Sequence, residues 1–514
     1  MIVSTAVDRL VVSRTSGVLR PDPRRVVARL FVPGHEHLTY GHSRATPVLE
    51  RILALDHDLV AITLDATMDK FSARYDDLPA LLAEHFASVA HRVGASSDLP
   101  EATRLLVGAY FTHEYSIEAA ALFNPSIVLH PDQRGLVPGE ARVVLSLRAV
   151  GEGHLSSIEF RTGVAGPDGQ VRIDESPNHL AVGRPCETTF DRRLFQRALS
   201  ELGDAGEDAA YILDTLPDPF TAAELDHALG TLYDQLLTRR TADRTIEHLR
   251  WVASCNYRTR FAEDSQLSQR VLMPVAPTES HGMEDARFVR FTDDDGTVTY
   301  YATYTAFDGA HIAPQLLKTS DFSTFRISQL AGTAAADKGM ALFPRRINGR
   351  YVALSRWDRE NNAITTSADA HVWDEPMTIQ TPTQPWELIQ LGNCGSPIET
   401  PEGWLVLTHG VGPMRSYAIG ALLLDLEEPF RLVAQLTDPL LSPTESEREG
   451  YVPNVAYSCG ALAHGERLIV PYGCADTSVG IAVIDLPRLL GQLARCRTAA
   501  SAPQPRRQLP ASIG

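Results

Sequence analysis

The sequence predicts a mainly β protein: a five-bladed β-propeller with additional N-terminal and inserted α-helical segments. From Glu284 onward the chain consists almost entirely of short apolar runs separated by turn residues, which is typical of strands. Comparable strand starts recur at Asp285, Met340, Ser396 and Val455, at intervals of 55, 56 and 59 residues. A repeat of this length, with several short strands in each unit, indicates propeller blades.

A strand-rich segment near Asn124 supplies a fifth unit. Residues 141–148 and 156–161 are alternating runs on either side of a glycine-containing turn, as in an antiparallel meander. We therefore assign residues 120–185 to the first propeller blade and residues 257–490 to the remaining blades.

The other segments have a different pattern. Apolar residues recur at helical spacing within residues 1–119, a predicted β-arm and helical region, and within residues 186–256, a predicted helical insertion. The insertion is expected either to separate two blades or to clamp the N-terminal helices. The polar stretch 257–280 is long enough to predict a functional loop. Residues 491–514 are predicted to be the end of a terminal helix and a disordered tail rich in Pro, Ala, Ser and Gln.

Composition limits the classes of partner. The chain has 514 residues, with Lys+Arg 47 against Asp+Glu 64 and a formal net charge of −17. This charge disfavours binding to nucleic acid and to anionic membranes. The six cysteines are scattered without metal-binding spacing, so no metal site is expected and a reduced, cytosolic setting is favoured. With no signal-like start and no apolar run of membrane-spanning length, we expect a cytoplasmic protein.

Residues at the start of each unit are the candidates for chemistry, because unit starts in a propeller converge at one mouth of the central channel. Taken singly, each has a structural explanation, such as a turn cap, a cross-strand pair or a buried core histidine. Their joint placement favours a site for a polyhydroxylated substrate beside an anion. The candidates are Asn124, Arg148, Glu284, Asp285, Lys338, Arg356, His409, Tyr472 and Asp476.

Several motifs, in this order, carry a family resemblance. They are Phe123–Ser126, Leu147–Ala149, Gly282–Arg287, Tyr304–Ala306, Ala341–Tyr351, Pro397–Leu405 with His409–Val411, Leu423–Leu426, Val452–Val455 and Tyr472–Thr477. With them the chain resembles glycoside hydrolase family 130, the β-mannoside phosphorylases and related β-mannosidases, over residues 120–180 and 280–490.

The resemblance implies a five-bladed propeller and inverting phosphorolysis, with no cofactor and inorganic phosphate as co-substrate. A β-mannoside oligosaccharide and phosphate would give α-mannose 1-phosphate and a shortened sugar, reversibly. Asp285 would be the general acid, acting through a sugar hydroxyl while phosphate attacks the anomeric carbon from the opposite face. The remaining implied roles are substrate binding by Asn124, Arg148, Glu284, Tyr472 and Asp476, and phosphate binding by Lys338, Arg356 and His409.

The chain departs from the family pattern at two positions. Gln390 stands where the phosphorylases usually have a lysine, and Ala286 replaces the usual proline after the Glu-Asp pair. One alternative is therefore a β-mannosidase, with Glu284, Glu387 or Glu399 activating water. A non-catalytic carbohydrate-binding propeller and a scaffold for protein partners are further alternatives. The linkage and the acceptor sugar stay open, and the N-terminal helices offer a surface for a homo-oligomer.

Overall fold

The computed structural model describes residues 12–33, 44–93, 98–177, 179–236 and 242–496 of the chain. Most of the described elements are β-strands, and helices lie at the N-terminal side, in the predicted insertion and after the last strand. Among the described helices, none is both long enough and apolar enough to cross a lipid bilayer. The predicted disordered tail lies outside the described residues.

The described residues of the N-terminal region form two strands, four helices and a third strand. In chain order these are β1 (Val12–Leu19), β2 (Val26–Leu30), α1 (Ala45–Leu53), α2 (His57–Phe71), α3 (Leu78–Val89), α4 (Glu101–Tyr110) and β3 (Thr112–Ser116). Aspartate N-caps start α2 and α3, where Asp56 and Asp77 accept backbone hydrogen bonds. Helices α3 and α4 cross closely at Gly108, where a Cβ would lie 1.9 Å from the Leu82 carbonyl oxygen. Apolar residues from these helices form one local core.

The first antiparallel unit, unit I, confirms the meander that the sequence predicts. Its strands are β4 (Ala121–Leu129), β5 (Ala141–Val150), β6 (Ser156–Ala165) and β7 (Val171–Ile173). Each strand pairs antiparallel with the next along the chain.

The helical insertion follows unit I and has a core of its own, which includes Phe190, Phe195 and Phe220. Ion pairs from Arg193 to Asp369 and from Arg197 to Asp374 attach it to a later part of the chain. Its elements, with the two strands after it, are β8 (Ala181–Val182), β9 (Arg184–Cys186), β10 (Thr189–Phe190), α5 (Arg192–Glu201), α6 (Glu207–Asp214), β11 (Phe220–Thr221), α7 (Ala222–Leu236), α8 (Ala242–Ser254), β12 (Tyr257–Arg260) and β13 (Arg270–Leu272).

Four more antiparallel units follow, and the predicted unit starts lie within a few residues of strands in each. Unit II is β14 (Gly282–Thr292), β15 (Val298–Phe307), β16 (Ile312–Thr319) and β17 (Thr324–Gln329). Unit III is β18 (Ala341–Leu342), β19 (Tyr351–Ser355), β20 (Asn362–Ser367) and β21 (Met377–Gln380). Unit IV is β22 (Gln390–Asn393), β23 (Ile398–Thr400), β24 (Gly403–Val411), β25 (Tyr417–Leu424) and β26 (Leu432–Gln435). Unit V is β27 (Ala456–Tyr457), β28 (Leu462–His464), β29 (Arg467–Cys474) and β30 (Ser478–Asp485), before helix α9 (Leu486–Arg495).

Two segments pair differently from the sequence expectation. The stretch 257–280, expected to be an irregular loop, instead contributes β12 to the edge of β17 and β13 to β6. The N-terminal arm β1 is the outer neighbour of β30, so it completes unit V from the opposite end of the chain. One parallel pair, Gly282 with Ser156, also joins unit II to unit I. Partners this distant in sequence leave no local pattern, which is why neither pairing was predicted.

Among the described residues, apolar cores lie between neighbouring units, and each of them draws residues from two units. They join units I and II, II and III, III and IV, IV and V, and V and I. Representative pairs, in that order, are Phe160 with Phe288, Tyr301 with Tyr351, Phe343 with Trp404, Ile419 with Val470, and Leu145 with Ile481.

A buried ionic network attaches the N-terminal region to unit I. Arg25, next to β2, lies 2.9 Å from a carboxylate oxygen of Glu118 and 2.7 Å from one of Glu159. Arg161 of β6 contacts the same two acids. Both carboxylate side chains have no solvent exposure. Burial and the neighbouring Glu159 raise the pKa of Glu118 to about 8, so near neutral pH the two acids carry mainly one negative charge, which the two arginines hold.

Replacing Arg25 with alanine should therefore lower the free energy of unfolding by about 3–5 kcal/mol, since it removes one partner of a buried ion pair with Glu159 and a donor to Glu118. Urea unfolding followed by circular dichroism measures the change. The matched control is Arg24→Ala, which removes an exposed arginine paired with Asp22. We expect little effect from the control; equal effects of the two substitutions would contradict the role of the buried network.

Candidate active site

The backbone departs from regular geometry at three of the predicted site residues. Asn124 lies where the register between β4 and β5 shifts, and Asp285 lies where the register between β14 and β15 shifts. Both are left-handed, with φ of 48° and 58°, and Asp476 in the turn after β29 has φ of 50°. Residues other than glycine rarely adopt this conformation, and those that do cluster at functional sites. Bulges also redirect side chains, which brings Asn124 and Asp285 together.

Arg148 is the centre of the resulting polar cluster. Its guanidinium donates to Glu284 Oε1 at 2.7 Å and to Asp285 Oδ1 at 3.4 Å. The Asn124 Nδ2 donates to the same Asp285 oxygen at 2.7 Å. Lys338 Nζ donates to the other Glu284 oxygen at 2.5 Å. Both oxygens of Glu284 are thus held by cations, which makes Glu284 a positioning residue for Arg148 and Lys338.

The charges around Asp285 favour its ionised form. Burial by itself would raise the pKa of Asp285. The Arg148, Arg287 and Lys338 cations and the Asn124 hydrogen bond outweigh burial, so the pKa of Asp285 lies below its ordinary value. A proton donor needs the opposite state, so the arrival of a negatively charged ligand has to raise this pKa before Asp285 can act as an acid.

Asp476 has the opposite electrostatic setting. Burial and the nearby Asp285 carboxylate raise the pKa of Asp476 to about 7, against the opposing effects of Arg148 and Arg415. Two acids that share a site separate in pKa because they do not both ionise easily. Near neutral pH Asp476 therefore exchanges between a carboxylic acid, which donates a hydrogen bond, and a carboxylate, which only accepts.

Arg287 and Tyr457 belong to the site although the sequence interpretation gave them no role. Arg287 donates to the backbone carbonyl of Asp285 at 3.2 Å and to the Tyr457 hydroxyl at 2.7 Å. The Tyr457 ring in turn packs edge-on against His409, with centroids 4.8 Å apart. Arg287 thus supports the strained Asp285 backbone and links it to the next group of residues. In the sequence, only the position of Arg287 two residues after Asp285 indicates such a role. This indication is weak, because an arginine in a strand is usually a surface residue.

Arg356 and His409 form that next group. Arg356 Nη1 lies 3.3 Å from His409 Nε2, and His409 Nδ1 lies 3.1 Å from the Asn393 carbonyl oxygen. A carbonyl only accepts, so Nδ1 carries the proton and Nε2 accepts from Arg356. Burial, with the nearby Arg356 and Arg287, lowers the pKa of His409 well below its ordinary value. In the structure His409, for which the resemblance implies phosphate binding, is a neutral ring that orients Arg356.

Tyr472 is not brought to the cluster. Its side chain is fully buried in the core between units IV and V, and its hydroxyl donates to Glu447. Successive residues of a strand face opposite sides, and it is the next residue, Gly473, that faces the site. A Cβ on Gly473 would lie 3.1 Å from the Asn124 backbone nitrogen. The position of Tyr472 therefore gives no support to its predicted contact with substrate.

The site contains polar atoms that are buried without a hydrogen-bond partner. Within the described part of the chain, these atoms include the Nε atoms of Arg148, Arg287 and Arg356 and the Oδ1 of Asn124. Unpaired buried donors are costly, and either water or a polar ligand at these positions satisfies them. Three guanidinium donors suit an anion with several oxygens, and the amide oxygen suits a sugar hydroxyl.

Comparisons with known proteins agree with this chemistry. The model of glycoside hydrolase family 130, described as beta-1,4-mannooligosaccharide phosphorylase, matches residues 262–495. A 1,2-beta-oligomannan phosphorylase from Thermoanaerobacter sp. (strain X514) is 33% identical over 230 residues, which are 43% of this chain and 74% of that relative. The chain belongs to glycoside hydrolase family 130.

Two other family 130 relatives differ in the linkage that their names specify. A beta-1,2-mannobiose phosphorylase from the same Thermoanaerobacter strain is 32% identical over 251 residues, 47% of this chain and 80% of that relative. A beta-1,4-mannooligosaccharide phosphorylase from Ruminococcus albus is 36% identical over 176 residues, 32% of this chain and 52% of that relative. The family match begins after unit I, yet Asn124 and Arg148 of unit I contact Asp285 directly.

The pKa of Asp476 predicts a pH dependence of stability. Its folded pKa of about 7 exceeds its ordinary value of 3.8, so between these values the folded protein binds more protons than the unfolded chain. The free energy of unfolding then falls as pH rises through this window. Asp476→Asn removes this titrating group. The free energy of unfolding of the variant minus that of the wild type should therefore increase by on the order of 2 kcal/mol from pH 4 to pH 8.

Urea unfolding in phosphate-free buffer at several pH values measures this difference. Asp438→Asn replaces an exposed aspartate in unit IV and is the control. A difference between Asp476→Asn and the wild type that stays constant with pH would show that Asp476 does not titrate in this window.

Proposed function

We propose that this protein is an inverting β-mannoside phosphorylase. It cleaves a terminal β-mannosidic bond with phosphate and yields α-mannose 1-phosphate and a shortened sugar, and the reaction is reversible. The observation that carries the proposal is the buried carboxyl of Asp285 with the cations Arg148, Arg287 and Lys338 around it. Membership of family 130, together with the phosphorylase names of the relatives, supports the same reaction.

We further propose that units I to V form a closed five-bladed propeller. The apolar cores support this arrangement, since each unit shares one core with the unit before it and another with the unit after it, and units V and I also share a core. In such a ring Asn124, Asp285 and the Asp476 turn lie at one mouth of the channel, where a substrate can enter.

In the proposed reaction the mannose lies in a subsite formed by Asn124, Arg148 and Asp476. Phosphate binds between Lys338 and Arg356 and attacks the anomeric carbon on the face opposite the leaving sugar. A new bond joins that carbon to a phosphate oxygen while its bond to the glycosidic oxygen breaks. The proton that the leaving oxygen needs comes from Asp285, relayed by a hydroxyl of the mannose.

Bound phosphate also favours protonation of Asp285. The bound dianion places negative charge near Asp285 and draws Lys338 away from its contact with Glu284. Both changes reduce the stabilisation of the Asp285 carboxylate and raise its pKa. Asp285 thus becomes protonated when phosphate is bound, so the general acid is in its active protonation state only when the nucleophile is present.

Hydrolysis is the second candidate, and it lacks a free base among the residues considered for it. Glu284 is bound by two cations. Glu387 accepts hydrogen bonds from the backbone N–H groups of Thr383 and Gln384. Glu399 forms a surface ion pair with Arg345. An inverting hydrolase needs a second carboxylate to activate water, whereas phosphate is already a nucleophile. The intact Asp285 likewise argues against a non-catalytic sugar-binding role.

Two further expectations stay proposals. A cytoplasmic location is supported by the six cysteines, all within the described residues and all free. A homo-oligomer is supported only by the additional surface of the N-terminal helices.

The test of function is dependence on phosphate. Purified protein is incubated with β-1,2-mannobiose and β-1,4-mannobiose, with and without phosphate, and the products are separated by anion-exchange chromatography. We expect α-mannose 1-phosphate with phosphate and almost no free-mannose release without it. Release of mannose at equal rates under both conditions would establish the hydrolase instead.

In the same assay, the substitution Asp285→Asn tests the proposed role of Asp285 as general acid. Loss of a general acid lowers turnover by about 10²- to 10⁴-fold, and the variant should retain substrate affinity. Its control is Asp294→Asn, an exposed aspartate in the hairpin after β14, which should keep wild-type activity. A fully active Asp285→Asn variant would remove Asp285 from the mechanism.

Arg356→Met should raise the KM for phosphate by about 10- to 100-fold, because it removes a charge-assisted contact to the dianion. The KM for mannobiose should change little. Arg359→Met is the control, since Arg359 lies in the same turn and contacts the same Asp337 but is largely exposed. An unchanged KM for phosphate in steady-state kinetics would place the phosphate site elsewhere.

A further inference from the structure

Tyr451 and His154 form an exposed aromatic pair near the polar cluster around Arg148. Neither residue has a role in the proposed reaction. Tyr451 is 53% exposed, and its hydroxyl lies 3.2 Å from His154 Nδ1. The two rings lie 5.9 Å apart at an interplanar angle of 32°. An exposed pair of this kind is a typical contact surface for a ligand with both apolar and polar groups.

The segments that carry the pair are attached to the segments that carry the substrate residues. The Tyr451 N–H donates to Thr477 Oγ1 at 2.7 Å, which ties Tyr451 to the turn of Asp476. The Tyr451 segment and the turn that contains Thr477 lie so close that a Cβ on Gly450 would be 2.5 Å from the same Thr477 oxygen. His154 lies in the turn between β5 and β6, six residues after Arg148. The pair therefore borders the proposed mannose subsite on the side of units I and V.

The proposed phosphate residues lie on the other side of the ring. Arg356 follows β19 of unit III, and the ring that orients it, His409, lies in β24 of unit IV. In an inverting displacement the nucleophile and the leaving group occupy opposite faces of the anomeric carbon. With phosphate beside units III and IV, the leaving sugar extends toward units I and V. That side carries the exposed aromatic pair.

We propose that His154 and Tyr451 form the acceptor subsite, which binds the sugar unit on the leaving side of the cleaved bond. The proposal rests on the proposed phosphorylase function. The apolar face of a pyranose ring packs on the Tyr451 ring, and its hydroxyls are within reach of polar groups at the ring edges. Exposed Arg415, close enough to Asp476 to affect its pKa, supplies a further donor at the same rim. The pair selects among acceptor sugars and leaves the mannose subsite unchanged.

The test uses the synthetic direction, in which donor and acceptor are varied separately. With α-mannose 1-phosphate as donor and D-mannose or β-mannobiose as acceptor, Tyr451→Ala should raise the acceptor KM about three- to tenfold. The KM for α-mannose 1-phosphate and the turnover at saturating acceptor should stay at wild-type values. Tyr451→Phe keeps the ring and should restore most of the acceptor affinity. Tyr211→Ala, an equally exposed tyrosine on α6, is the control and should have no effect.

The outcomes separate this proposal from the function on which it rests. An unchanged acceptor KM in Tyr451→Ala would overturn the acceptor subsite while leaving the phosphorylase function intact. Donor and acceptor KM values that rise together would assign Tyr451 a structural role and also overturn the subsite. A wild-type protein that forms no α-mannose 1-phosphate from any mannobiose would overturn the function itself, and the subsite with it.

Discussion

Arg148 allows two carboxylates and a third nearby acid to share one buried pocket. Its guanidinium contacts Glu284 and Asp285 directly, and its charge also acts on Asp476. Without a cation at this position, repulsion and burial would force at least one more of these acids to bind a proton. Lys338 completes the arrangement on the far side of Glu284. The cluster is thus internally paired, while the Nε atom of Arg148 has no hydrogen-bond partner among the described protein atoms.

The strained backbone at the site depends on the packing around it. Asn124, Asp285 and Asp476 each hold a left-handed conformation that costs on the order of 1–3 kcal/mol, and such conformations persist only where the surrounding structure over-determines them. The apolar cores between neighbouring units provide that constraint. Arg287 adds a local one through the Asp285 carbonyl. The packing that holds the units together therefore also orients the Asp285 carboxyl group.

Much of the architecture was predictable because it depends on short-range patterns. Alternating apolar residues and turn residues located the strand units, and helical spacing located the N-terminal helices and the insertion. The errors have a common cause in long-range pairing. Strand β1 joins β30, and the expected loop 257–280 supplies β12 and β13 to two sheets. The expectation for Tyr472 has a related cause. Adjacent residues of a strand face opposite sides, so a difference of one residue decides whether Tyr472 or Gly473 faces the site.

The amino-acid order establishes which residue types are available for chemistry. These are the Glu-Asp pair at a strand start, the arginines and the lysine, together with a repeat length near that of a propeller blade. How these groups are used depends on the tertiary structure. It pairs Glu284 with two cations, makes His409 a neutral support for Arg356, and adds Arg287 and Tyr457 to the site. The physical reason is that protonation states and hydrogen-bond roles depend on burial and on neighbours up to several hundred residues away, whereas a sequence motif records only the order of the groups.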